Sequence, residues 1–107
     1  SQNVRVGNSN IPTQDFTLSS KGAILYQNTP NPFGTETSIG YYLPDGVSQA
    51  EMIFFDMYGN EVGRTALQNK GNAKLNLSTQ ELASGIYSYS LIADGKVIDT
   101  KKMLKQN

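Results

Sequence analysis

Residues Gly85 to Leu104 read GIYSYSLIADGKVIDTKKML, and this stretch decides the fold. Tyr87, Tyr89 and Leu91 fall on one side of a period-two alternation, with Ser88 and Ser90 between them. Such alternation marks a half-buried strand, because successive side chains of an extended chain point to opposite faces. Asp94-Gly95 then offers two residues that tolerate positive φ, as a tight two-residue hairpin turn requires. Lys96 to Leu104 returns as the partner strand.

The same signals recur upstream. In Gln49 to Asp56, Ala50, Met52 and Phe54 share one face and Glu51, Ile53 and Phe55 the other. In Glu36 to Leu43, Thr37, Ile39, Tyr41 and Leu43 alternate with Ser38, Gly40 and Tyr42, and Pro44-Asp45-Gly46 closes the run. Glu61 to Leu67 and Asn72 to Leu77 flank a loop at Asn69-Lys70-Gly71, and Ala23 to Gln27 is a short apolar run. Ser78 to Ala83 breaks the alternation and leaves room for at most one helical turn near Thr79 to Ala83, capped by Ser78 or Thr79 and ended by Gly85. About seven short strands with turn signals roughly every 8–12 residues predict an all-β, immunoglobulin-like antiparallel β-sandwich. Its expected core is Ile39, Tyr41, Leu43, Met52, Phe54, Val62, Leu75, Leu77, Leu82, Tyr87, Tyr89 and Leu91.

Residues 1–22 differ, with a few apolar side chains scattered among Asn, Ser, Thr, Gly and Pro. They read as a linker or the tail of a preceding domain, with room for one short strand, and residues 23–107 read as the folded domain. Ser19, Ser20, Lys21 and Gly22 mark the expected boundary. No basic and apolar leader opens the sequence, as in a processed or excised fragment.

Composition narrows the function. Nine basic residues balance nine acidic ones, which argues against nucleic acid as a partner. The chain has no Cys and no His, so disulfides, thiolate metal sites, triads and histidine bases are excluded. No apolar run approaches the ~20 residues of a membrane helix. The carboxylate pairs Glu51 with Asp56 and Asp94 with Asp99 read as solvated acids rather than a catalytic pair. Asp56 to Glu61 offers too few oxygen ligands for calcium. Asp56-x-x-Gly59 instead reads as a turn whose Asp side chain accepts backbone N–H groups. No cluster of glycines opens a helix to hold phosphate. The chain is expected to have no catalytic residue, no metal, no cofactor and no small-molecule substrate.

Other features carry structural expectations. Tyr87 fits a tyrosine corner, its hydroxyl bonded back to the chain near Gly85, with a stacking platform as the sharper rival. Ile53 and Phe55, joined by Tyr42, are expected on the outer face as an apolar patch. Such a patch is a contact surface unless the N-terminal segment covers it. Pro30 and Pro32 make Asn28 to Phe33 a stiff, irregular loop. Phe33 is expected to plug one end of the sandwich, with Asn28 and Asn31 bonding local backbone.

Leu25-Tyr26-Gln27-Asn28-Thr29-Pro30-Asn31-Pro32-Phe33 resembles the Leu-x-Gln-Asn-x-Pro-Asn-Pro-Phe opening of type IX secretion C-terminal sorting domains. Further matches follow in the family's order. They are Thr37-Ser38-Ile39-x-Tyr41-x-Leu43-Pro44, Phe54-x-Asp56-x-x-Gly59-x-x-Val62 and Leu82-x-x-Gly85-Ile86-Tyr87-x-Tyr89-x-Leu91. Asp94-Gly95-Lys96 and Lys101-Lys102-Met103-Leu104 close the series. The resemblance runs from Ile24 to Lys105 and departs at Thr29 and Gly34. It implies a non-catalytic export address that follows an N-terminal cargo domain through the periplasm to the cell surface or beyond. The implied partners are an outer-membrane translocon, its shuttle protein and a surface sortase, which would cleave near Ser19 to Gly22. The export signal is expected on the last strand, at Lys101, Lys102, Met103, Leu104 and Lys105, where a free edge would suit β-augmentation. A plain solvated strand is the bland reading of the same lysines. A reading from another class also stands at this point: an immunoglobulin-like adhesive or carbohydrate-binding module of an extracellular protein.

Overall fold

The structure is a computed structural model in which residues 22–79 and 81–106 are described. The expectation for the N-terminal linker therefore lies, apart from Gly22, outside the described residues. The described chain forms seven strands and no helix: β1 (Ile24–Leu25), β2 (Glu36–Leu43), β3 (Ala50–Phe55), β4 (Glu61–Ala66), β5 (Gly71–Ser78), β6 (Gly85–Ala93) and β7 (Lys96–Lys105). They make two antiparallel sheets, a three-stranded one ordered β1-β2-β5 and a four-stranded one ordered β4-β3-β6-β7. Together they form an immunoglobulin-like β-sandwich.

The alternation in the sequence sets which faces meet. Thr37, Ile39, Tyr41 and Leu43 of β2 are buried. Met52 and Phe54 of β3 and Tyr87, Tyr89 and Leu91 of β6 are buried from the opposite sheet. Leu75, Leu77 and Leu82 are half-buried against this core, which also takes Leu25, Phe33, Leu67 and Met103. Burial of each such side chain contributes about 1.5–3 kcal/mol before conformational entropy is offset. The β6–β7 hairpin turns at Asp94 (φ 50°) and Gly95 (φ 81°), both positive as the tight turn demands. The Asp94 carboxylate also accepts the backbone N–H groups of Ser48 and Gln49, each at 2.9 Å.

One expectation is corrected. Val62 is 45% exposed rather than part of the core. Phe54 pairs with Gly63 and Phe55 with Glu61, so Val62 is the extra residue of a β-bulge. A bulge breaks the alternation that would carry a side chain inward. Where at most one helical turn is expected, the Leu82 N–H donates to the Thr79 carbonyl at 3.1 Å, and no helix occurs among the described residues.

Candidate recognition site at the motif loop and the last strand

The segment Tyr26 to Phe33 runs between the two sheets and holds both. Toward the three-stranded sheet, Thr29 exchanges backbone hydrogen bonds with Ser38 (2.8 and 2.9 Å). Toward the four-stranded sheet, the Tyr89 hydroxyl accepts the Asn28 N–H and donates to the Tyr26 carbonyl, both at 2.8 Å. Tyr89 is fully buried, and loss of solvation pushes its phenol up to about 12. The phenol therefore stays protonated and keeps both roles.

Asn28 is buried too. Its amide nitrogen donates to the Pro30 carbonyl and to the Thr37 hydroxyl, each at 3.1 Å, and Thr37 in turn donates to Pro30 at 2.9 Å. Gln27 completes the set by donating to the Asn28 side-chain oxygen at 2.7 Å. A buried amide is tolerated only when its hydrogen-bonding groups find partners, and this loop provides them. The peptide bonds before Pro30 and Pro32 are both cis.

The loop then closes on β7. Gln27 Nε2 donates to the Lys102 carbonyl at 2.6 Å. Asn31 Oδ1 accepts the Leu104 N–H at 2.9 Å. The Phe33 N–H donates to the Leu104 carbonyl at 3.0 Å, and the Phe33 carbonyl accepts the Gln106 N–H at 2.8 Å. Phe33 thus pairs with Lys105 as a short parallel bridge, and its ring is buried with 2% exposure. Further along the same edge, the Thr100 N–H is taken by the Asp99 carboxylate at 2.8 Å.

This geometry corrects the reading of a free last edge. From Lys102 to Gln106 the outer edge of β7 is occupied by the motif loop. Asn31, expected to bond local backbone, reaches the last strand instead. The signal residues divide by face as a strand dictates. Met103 and Lys105 are buried, Lys101 is half-buried and bridges Asp99 at 3.5 Å, Lys102 is exposed and Leu104 is half-buried. The burial of Lys105 had no signal in the sequence, because the Lys-rich string looks solvated throughout.

The remaining predicted residues serve the scaffold. The Tyr87 hydroxyl donates to the Ala83 carbonyl at 2.8 Å, the arrangement of a tyrosine corner, and Gly85 beside it has φ 149°. Asp56 accepts the N–H groups of Tyr58 and Asn60 at 2.9 Å each, and Gly59 turns the chain at φ 86°. Those backbone donors, that of Asn60 foremost, hold the Asp56 carboxyl below its ordinary value. Glu51 and Glu61 both pair with Arg64, at 3.2 and 2.8 Å. Donation to the Glu61 carboxylate is the main cause that raises the Arg64 guanidinium. No group of acids able to hold a metal occurs among the described residues.

Ile53 and Phe55 point outward and are half-buried, as Tyr42 is. However, Tyr42 lies on β2 and the other two on β3, in different sheets. Their outer faces look in opposite directions, so the three do not make one patch. Of Ser19 to Gly22, only Gly22 is among the described residues, and it is exposed.

Fold and site together define a small sandwich in which Glu51, Asp56, Glu61, Asp94 and Asp99 each have a turn, cap or ion-pair role. A family model described as the secretion system C-terminal sorting domain matches residues 29–106. The chain belongs to that family, the type IX secretion C-terminal sorting domains. The match begins inside the motif loop at Thr29 and takes in β2 to β7. Searches of curated proteins and of solved structures returned no match. Family membership makes the domain a C-terminal sorting signal of type IX secretion. Its family works with the type IX machinery behind an N-terminal cargo, is exported to the cell surface or extracellular space, and is generally non-catalytic.

Proposed function

We propose that this domain is the folded, non-catalytic address of an exported cargo protein, and that a surface sortase removes it. The observation that carries the reading is the family match over residues 29–106. The clasp between the motif loop and β7 supports it, because it joins the opening and closing motifs of the family into one structural unit. On this reading an ordinary leader takes the cargo to the periplasm. The translocon and its shuttle protein then accept the domain, and cleavage falls within Ser19 to Gly22. The chain is substrate throughout, in keeping with its lack of His and Cys and with acids committed to turns and ion pairs.

The test is a fusion of a leader-bearing fluorescent passenger to the whole 107-residue chain, expressed in a type IX-competent cell. The passenger should become accessible to protease at the cell surface and should lose the domain, with a new terminus in the Ser19 to Gly22 region. Retention of the intact fusion in the periplasm would favour the adhesive or carbohydrate-binding module instead.

A further inference from the structure

We infer that the export machinery reads the outer face of the four-stranded sheet around Ile86 and Lys102, through an apolar surface that carries a carboxylate. The inference rests on the sorting reading above and specifies where on the folded domain that reading acts.

The terminal motif can be contacted in only a few ways. Its edge is closed, because the motif loop takes the Lys102 carbonyl, the Leu104 N–H and the Leu104 carbonyl. Its inner side chains are closed, because Met103 and Lys105 are buried. What remains open is the outer face, where Lys102 and Leu104 project. Cross-strand register adds the neighbours. Leu104 pairs with Ile86, Lys102 with Ser88, and Ser88 with Phe55. Paired residues of antiparallel strands point to the same side, so these side chains form one surface.

The chemistry of that surface names its partner. Ile86 is 48% exposed, and Phe55 and Leu104 are half-buried. Small Ser88 lies between Phe55 and Lys102 in the cross-strand register. The ion pairs among the described residues involve Arg64 and Lys101, and none involves the Lys102 ammonium. An unpaired cation beside apolar side chains is complementary to a partner that offers apolar contact and one carboxylate. The far end of the same face supplies an internal control: Val97 is 65% exposed and pairs with Ile92, well along the strands from Lys102.

The passenger fusion serves for the test, with Ile86→Ser, Lys102→Glu, Lys102→Arg and Val97→Ser compared with wild type. Thermal melting of each purified domain is followed in parallel. Ile86 and Lys102 are exposed, so their variants should melt like wild type. Surface delivery should fall at least about tenfold for Ile86→Ser and Lys102→Glu, the effect of losing a contact of central importance. It should persist for Lys102→Arg and Val97→Ser. Wild type delivered, with Ile86→Ser and Lys102→Glu delivered equally well, overturns the inference and leaves the sorting reading intact. An equal loss in Val97→Ser also overturns it, since the site would not be local. A wild-type fusion held in the periplasm overturns both.

Discussion

The side-chain oxygen of Asn31 accepts the backbone N–H of Leu104 at 2.9 Å, tying together residues 73 positions apart. The bond does for the last strand what a neighbouring strand would otherwise do: it covers an edge that invites pairing with other chains. The loop thereby becomes a lateral seam of the sandwich rather than a connector.

Replacing Asn31 with Ala removes that acceptor and leaves the Leu104 N–H to water. A hydrogen bond of this kind contributes about 0.5–1.5 kcal/mol, which lowers the melting temperature of a domain this size by several degrees. Asn31→Asp keeps an acceptor oxygen and should recover most of the loss. Chemical denaturation of the three proteins checks this. Equal midpoints for Asn31→Ala and wild type would contradict the role.

Phe33→Ala should be far more damaging. The ring is 2% exposed, and truncating a buried Phe costs roughly 3–5 kcal/mol, against about 5–15 kcal/mol for a whole domain. Calorimetry should show a large drop in melting temperature. An unchanged melt would mean that the seam carries little of the stability.

Tyr89→Phe tests the other anchor. The ring stays, but the Asn28 N–H loses its acceptor in a buried site, at a cost of about 1–3 kcal/mol. Titration gives a second check on wild type. The folded phenol is raised from 10.0 to about 12, so the unfolded chain releases its proton first as pH rises. The contribution is fully present below pH 10, declines between pH 10 and 12, and is lost above that. In Tyr89→Phe this part of the alkaline decline should be missing.

Strand boundaries were legible where alternation was unbroken: β2 and β6 fall where the sequence reading put them. Alternation failed at Val62, where a bulge shifts the register, and it says nothing of Val47 and Leu67, buried in connections without a period. Local pattern also cannot assign a strand to a sheet, and so it does not separate Tyr42 from Ile53 and Phe55. The same limit explains the motif loop. Its stiffness follows from Pro30 and Pro32, but its partner is a strand at the other end of the chain, and no local signal connects the two. The buried polar network of Tyr89, Asn28 and Thr37 was likewise hidden, because each residue alone looks like an ordinary strand or turn residue.

Deleting Met103 to Asn107 would not separate signal from scaffold. It removes the buried Met103 and Lys105 and strips the Phe33 backbone of both partners. Cooperative melting and passenger export should be lost together. A truncated domain that still melts like wild type would show that the clasp is dispensable to the fold.

The recognition face requires that the loop hold the end of β7, and backbone hydrogen exchange measures that directly. Strand ends without partners fray and exchange quickly. The Gln106 N–H, bonded to the Phe33 carbonyl at 2.8 Å, and the Leu104 N–H should instead exchange slowly. The Phe33 N–H should share their protection, and Asn31→Ala should accelerate Leu104 most. Free-chain exchange rates at Leu104 and Gln106, with the β6–β7 ladder still protected, would contradict the clasp and reopen the edge of the last strand.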